Sequence, residues 1–314
     1  MSTPTTPWLP PGPALLFAPA DRPERFAKAV ERSDAVIVDL EDGCRAEQRP
    51  AAREHVIAAF RSGTFDPERT IIRVNPAGSE DFAADMAAVA ACGARTIMLP
   101  KAEGPFFQDA ASQPHGAVAA SDEVQVIALI ETPAGVVNLQ AIATDPQVVA
   151  LFWGAEDLTA AIGGTSSRYG AEEKPTPGGG TSGHPGGYRE APRLVRSLVL
   201  LHAAAAGKVA LDSIHADTAD VAGAKAEAVD AAVSGFAATV SIHPGLVPAI
   251  RQAYAPSEEQ LEWAARVIGG ASSNSGAFAV DGQMIDAPLL RQAEVIHRRG
   301  QAQSSTGPSD NRAP

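Results

Sequence analysis

Eight short apolar runs punctuate the chain between Ala14 and His243. They are Ala14–Pro19, Ala35–Leu40, Thr70–Asn75, Thr96–Pro100, Val124–Ile130, Ala150–Trp153, Lys208–Ile214 and Ala238–His243. These runs are rich in Val, Ile and Leu and show little in–out alternation, the pattern of strands buried on both faces of a parallel sheet. Helical patterns lie between them, over residues 21–32, 46–61, 79–92, 133–144, 188–206 and 217–234. The first begins Asp21-Arg-Pro23-Glu24, with an acidic cap and an early proline. Residues 103–123 are expected to be helical or irregular. Eight strands alternating with helices over about 240 residues is the count and size of a (β/α)8 barrel, an α/β fold.

The pattern changes in four places. Residues 1–13 form a Pro-rich tail, expected to be extended or disordered. Barrel periodicity covers 14–255, interrupted at 165–187 by a Gly- and Pro-rich stretch that predicts a long flexible loop. His184 within it is expected to be solvated. Beyond 255, Pro256-Ser257-Glu258-Glu259 opens a helix to about Ile268. A hairpin or turn over 276–288 then leads into a last helix, 288–299, so that 256–300 form a C-terminal segment of their own. The polar tail 301–314 is expected to be disordered.

The informative feature is where charged groups fall. Asp39, Glu41 and Asp42, then Arg73, Lys101, Glu131, Asp157, Asp212 and His243 all lie at or near the C-terminal ends of different strands. In a (β/α)8 barrel those ends form one mouth, where active sites sit. Two carboxylates at one mouth, Glu131 and Asp157, repel each other unless a cation lies between them, and oxygen ligands with water positions to spare suit Mg²⁺. A plainer reading is that both acids merely cap helices, Glu131 before Thr132-Pro133 and Asp157 near a helix start. Arg73, flanked by apolar residues, needs either an ion-pair partner among the strand-two acids or an anionic ligand. Arg22, Arg25 and Lys28 form a local basic cluster, or else a solvated helix face.

Composition narrows the classes. The formal net charge of −12 argues against nucleic acid as a partner. Two cysteines, Cys44 and Cys92, are too few for a disulfide framework or a zinc site. No apolar run approaches the roughly 18 residues of a membrane span, and the N-terminus lacks a basic signal-peptide region, so the cytoplasm is the expected location.

Taken together, Leu16-Phe17-Ala-Pro-Ala-Asp-Arg22-Pro-Glu-Arg-Phe26, Val38-Asp39-Leu-Glu41-Asp42, Arg73-Val-Asn75, Met98-Leu-Pro-Lys101, Ile130-Glu131-Thr, Gly154-Ala-Glu156-Asp157-Leu158, Ile242-His243-Pro244, Gly276-Ala-Phe and Asp281-Gly-Gln-Met-Ile-Asp286 resemble the citrate lyase β-subunit-like branch of the HpcH/HpaI aldolase family. The resemblance spans residues 14–299. It implies a magnesium-dependent TIM barrel, usually trimeric, that makes or breaks carbon–carbon bonds between an oxo acid and an acyl thioester. Glu131 and Asp157 match the metal ligands. Arg73 matches the arginine facing the reacting carbonyl or carboxylate, and with Glu131, Glu156 and Asp157 makes up the substrate-binding set. Phe17, Arg22 and Lys28 match coenzyme A positions, to which His243 is added. Asp286 matches an acid–base aspartate that reaches a neighbouring subunit from a C-terminal lid. Glu41 and Asp42 are the candidates for taking the substrate's hydroxyl proton.

The activity implied is reversible cleavage of a β-hydroxyacyl-CoA, such as citramalyl-CoA, malyl-CoA or HMG-CoA, to an oxo acid and acetyl-CoA. Two alternatives stay open: a metal-dependent aldolase on free hydroxy-oxo acids, and a citrate lyase β subunit that needs an acyl carrier protein. The loop 165–187 departs from the family pattern in length and glycine content.

Overall fold

The computed structural model describes residues 8–105, 124–170, 173, 186–272 and 276–306. Residues 1–7, 106–123, most of 171–185 with His184, and 307–314 lie outside the described residues, and so do the expectations that fall on them. Strands β1 to β8 are Ala14–Pro19, Ala35–Asp39, Thr70–Arg73, Thr96–Leu99, Gln125–Ile130, Val148–Trp153, Val209–Asp212 and Ala238–Ser241. They close into one all-parallel barrel, with β8 returning to β1 at Ala14↔Thr239 and Leu16↔Ser241. The expected strands are therefore present, each within a few residues of its sequence-derived bounds, and the fold is a (β/α)8 barrel.

Helices follow the strands in turn. They are α1 Phe26–Arg32, α2 Arg49–Arg61, α3 Phe82–Cys92, α4 Pro133–Val137, α5 Leu139–Thr144, α6 Ala155–Ala161, α7 Glu190–Ala205, α8 Val221–Ser234 and α9 Val247–Tyr254. The span 133–144, expected as one helix, is two: the chain breaks at Asn138. The Asn138 side chain turns away to donate to the Glu103 carbonyl at 2.7 Å.

Inward-facing residues fill the barrel: Leu15, Ile37, Ile71, Met98, Ile127, Leu129, Phe152, Leu211 and Val240 are buried together, with Phe17 packed above them. Because side chains alternate along a strand, Leu15 and Phe17 share the inner face of β1 while Leu16 faces the helices. Two buried polar locks sit outside this core. Asp85 of α3 accepts from Arg53 of α2 at 2.8 Å and from the Asn75 backbone at 2.7 Å, and Asn75 Nδ2 reaches the Leu40 carbonyl at 3.0 Å. That lock ties down the segments following β2 and β3, which carry Glu41 and follow Arg73. Asp212, grouped by its sequence position with the mouth acids, is instead held by Arg196 of α7 at 2.9 and 3.0 Å and by the Trp153 indole at 2.8 Å.

Helix α4 rests directly on the turn after β4. A Cβ at Gly135 would stand 2.3 Å from the Ala102 carbonyl oxygen. Backbone cannot yield cheaply, so Gly135→Ala is expected to destabilise the protein by roughly 1–3 kcal/mol. A denaturant midpoint equal to that of the wild type would refute this seating of α4.

The chain parts into two compact units at Ile250 and Arg251, inside α9. The second unit is built from α10 Glu258–Ala271, a hairpin of β9 Phe278–Val280 and β10 Gln283–Ile285, and α11 Ala287–Thr306. Ser257 and Gln260 form the reciprocal capping box that the sequence pattern implies. Asp281 and Gly282, at φ 50° and 80°, make the two-residue hairpin turn. Ala264, Val267, Ile285 and Ala293 are its buried centre. The last helix does not stop at 299: it continues to Thr306, so residues 301–306 are helical rather than disordered. Gln301, Ala302 and Gln303 are adequate helix formers, and Gln301 lies 2.9 Å from His297 one turn back.

Candidate active site

Strand register places the first pair of charged groups. In the parallel pairing of β2 with β3, Asp39 stands opposite Arg73. The Asp39 carboxylate accepts from Arg73 Nε at 2.7 Å and from Nη2 at 2.5 Å, a two-point clamp. Arg73 Nη1 lies 3.0 Å from Glu41 Oε2, and the guanidinium sits 4.6 Å above the Phe17 ring. Burial opposes the charge, but the bond to Asp39 and the charges of Asp39, Glu41 and Glu131 outweigh it and hold Arg73 well above its ordinary pKa. The ion pair between Arg73 and the strand-two acids is thus present, and the same clamp orients the guanidinium at the mouth.

Glu131 follows β5 directly. Thr132 then caps α4, accepting from Gly135 N at 3.1 Å, so the carboxylate precedes the cap instead of serving as it. Glu131 is buried, and its Oε1 accepts from the Lys101 backbone N–H at 2.9 Å. Burial, then the charges of Asp157 and Glu41, push its carboxyl up to about 8. Asp157 lies exposed in the first turn of α6, just after β6. Glycine admits this arrangement: a Cβ at Gly154 would come within 2.8 Å of Glu131 Oε2, and one at Gly43 within 2.2 Å of Asp39 Oδ2.

Lys101 and Glu41 complete the group. Lys101 Nζ bonds Glu41 Oε1 at 2.5 Å and lies 3.8 Å from Asp42. Burial lowers the pKa of Lys101, but the bond to Glu41 holds it above its ordinary value. Burial also holds the Glu41 carboxyl above its usual range, against the pull of Arg73 and Lys101. Glu41 Oε2 is buried with no aligned hydrogen-bond donor, although Arg73 Nη1 is near.

The structure thus gathers Phe17, Glu41, Arg73 and Glu131 at one mouth, with Asp42 and Asp157 at its exposed rim. Among the described residues, the other sequence-derived candidates of the barrel unit share none of these hydrogen bonds or ion pairs. Glu156 turns to accept from the buried Ser167 hydroxyl at 2.6 Å. Arg22 and Lys28 are exposed around the start of α1, with Asp21 3.8 Å from Arg22. His243 is exposed after β8, its Nδ1 accepting from Gly245 N at 3.2 Å. Asp286 is exposed in the second unit and accepts weakly from Leu289 N at 3.4 Å, at the start of α11. Asp39 and Lys101 carry more of the geometry than their sequence positions alone assign them. The pairing of an inward arginine with an acid on the preceding strand is the signal for Asp39.

The donor set fits a hard cation. Two carboxylates, one of them pushed towards protonation by burial and then by its acidic neighbours, leave an excess of negative charge that Mg²⁺ would neutralise. Among the described residues no three His, Cys, Asp or Glu side chains gather as a metal cage. Magnesium, which keeps several waters and is commonly bound by one or two carboxylates, does not require one.

Fold and site together define a (β/α)8 barrel that carries an acidic mouth and a clamped arginine at the C-terminal ends of its strands. The chain belongs to the HpcH/HpaI aldolase/citrate lyase family, whose model matches residues 14–244. It is similar to the citrate lyase subunit beta-like protein of Mycobacterium tuberculosis, with 47% identity over 93% of this chain and 97% of that one. It is also similar to the mitochondrial citramalyl-CoA lyase of Homo sapiens, with 27% identity over 90% of this chain and 83% of that protein. Among solved structures, the CitE protein of M. tuberculosis in complex with magnesium, acetoacetate and coenzyme A superposes with a TM-score of 0.76 at 46% identity, covering 92% of this chain and 98% of that one.

Proposed function

We propose that this chain is a magnesium-dependent lyase that reversibly cleaves a β-hydroxyacyl-CoA, such as citramalyl-CoA, malyl-CoA or HMG-CoA, into an oxo acid and acetyl-CoA. The observation that carries the reading is the crowding of Glu131 and Asp157 at one mouth beside the clamped Arg73. It draws support from the magnesium and coenzyme A in the related CitE structure.

Glu131 and Asp157 would hold the ion, whose chemistry is to polarise the oxo-acid oxygen and balance the substrate's carboxylate. Arg73, which Asp39 prevents from swinging away, is the fixed cation for charge developing on the thioester oxygen as the carbon–carbon bond breaks. Glu41 and Asp42 are the acceptors for the hydroxyl proton. Burial favours proton uptake at Glu41 against the pull of Arg73 and Lys101, and its Oε2 has no aligned hydrogen-bond donor. Asp286 is assigned to proton exchange at the enolate carbon, acting from a neighbouring subunit. Phe17, Arg22, Lys28 and His243 are assigned to coenzyme A, Arg22 and Lys28 through its phosphates. Glu156 is assigned to the substrate rim.

A homotrimer in the cytoplasm is part of this reading. Leu194 and Leu201 on α7 and Val229 and Val233 on α8 are exposed apolar side chains that subunit contact would cover. Among the described residues no helix is long and apolar enough to cross a membrane.

The test is release of pyruvate or glyoxylate from citramalyl-CoA and malyl-CoA by the purified chain, with Mg²⁺ and with EDTA. We expect release that Mg²⁺ supports and EDTA abolishes. Turnover of free hydroxy-oxo acids without coenzyme A, or activity only with an acyl carrier protein present, would replace this reading with one of its alternatives.

A further inference from the structure

We propose that Lys101 is a positioning residue for this reaction, its backbone N–H setting Glu131 and its ammonium setting Glu41. The inference rests on the reading of Glu131 as a metal ligand and deepens it. Three observations carry it. First, Lys101 has φ 49°; among the described residues only Asp281, in the hairpin turn of the second unit, shares a positive φ without being glycine. A lysine has no local reason to adopt the left-handed region, and such outliers persist where the surroundings impose them. Second, the surroundings do impose it. The next residue, Ala102, donates to the Leu129 carbonyl at 3.1 Å, and its own carbonyl is covered by Gly135 of α4. Third, the resulting turn aims both ends of one residue at the two buried mouth carboxylates: N–H to Glu131 Oε1 at 2.9 Å, Nζ to Glu41 Oε1 at 2.5 Å.

The consequence is a division of oxygens. Each carboxylate has its Oε1 bound by Lys101. Glu131 Oε2 is left over Gly154, and Glu41 Oε2 is left without an aligned donor beside Arg73. Freed of Lys101, either carboxylate would lose the bond that fixes the tilt of its plane, and Glu41 could rotate away from Arg73.

Two substitutions separate the two halves. Asparagine tolerates the left-handed region but cannot supply the ammonium. Valine disfavours that region and so displaces the N–H. In the EDTA-stripped full chain, titrated calorimetrically with MgCl2, Lys101→Asn is expected to keep the wild-type Mg²⁺ affinity within about threefold, while kcat falls about 10–100-fold with little change in KM. Lys101→Val is expected to lose about tenfold or more in Mg²⁺ affinity as well. Should Lys101→Val fail to fold by circular dichroism, Lys101→Ala gives the same comparison with a smaller steric change. Wild-type kcat in Lys101→Asn would overturn the ammonium's role, and wild-type Mg²⁺ affinity in the valine or alanine variant would overturn the backbone's. A wild-type chain that binds Mg²⁺ but cleaves no CoA ester would overturn the proposed reaction instead, leaving the Mg²⁺ titrations to decide the backbone half.

Discussion

Glu131→Gln is expected to lower turnover of a β-hydroxyacyl-CoA by about 10³-fold or more, and at the same time to stabilise the metal-free protein at alkaline pH. The first effect follows from losing one of two carboxylates that would hold the ion, since Lewis-acid stabilisation is worth several kcal/mol and each 1.4 kcal/mol is about tenfold. The second follows from burial. The Glu131 carboxyl titrates near 8 in the folded chain, against an ordinary 4.5. Between those values the folded, metal-free protein keeps a proton that the unfolded chain releases, so stability falls as pH rises through that window. Below 4.5 both states are protonated and nothing is lost. Above 8 the full cost is present, on the order of 5 kcal/mol.

Glutamine keeps the oxygen that accepts from Lys101 N and carries no charge to desolvate. The two proteins should therefore unfold alike at pH 4 and diverge steadily towards pH 8.5 in EDTA. Added Mg²⁺ should raise the wild-type Tm increasingly with pH and leave the variant nearly unmoved. Tm measured from pH 4 to 9, with EDTA and with Mg²⁺, checks both statements. A variant that unfolds below the wild type throughout, or a folded variant with normal turnover, contradicts them.

Arg73→Met should cost about 3–5 kcal/mol of stability and about 10²–10³-fold in kcat. The stability loss arises because Asp39, buried at 3% exposure, would lose its two-point partner. The double variant Arg73→Met/Asp39→Asn removes that unpartnered buried carboxyl group and should recover a large part of the stability without recovering activity. Arg73→Lys should fold better than Arg73→Met yet remain slow, because an ammonium cannot hold Asp39 with one face of a planar fork and present the other to substrate. Chemical denaturation with kcat on the same preparations distinguishes these outcomes. Equal stability of the single and double variants would show that Asp39 does not depend on Arg73.

Much of this molecule is legible in its amino-acid order because short-range physics writes it. Continuous Val- and Ile-rich runs separated by helical patterns specify parallel strands with both faces covered, and eight of them close a barrel. The capping box at Ser257 and the Asp281-Gly282 turn are similarly local: their hydrogen bonds join residues a few positions apart. That Glu131, Asp157 and Arg73 share one mouth also follows from order alone, since every strand of a parallel barrel ends on the same side.

The partnerships across the barrel are decided only by tertiary structure. Register sets Asp39 opposite Arg73, and a residue's shift either way would turn one of them to the helix layer. Asp212 occupies an equivalent strand end, yet α7 presents Arg196 to it and takes it out of the mouth. Glu156, next to Asp157 in sequence, points to Ser167 because successive residues of a helix turn by about 100°. The strained turn at Lys101 arises from Ala102 being held between β5 and α4, contacts that no local pattern encodes. Sequence determines which strand end each group stands on. The direction a side chain takes from there depends on the chains packed beside it, which are distant in sequence and adjacent only once the barrel has closed.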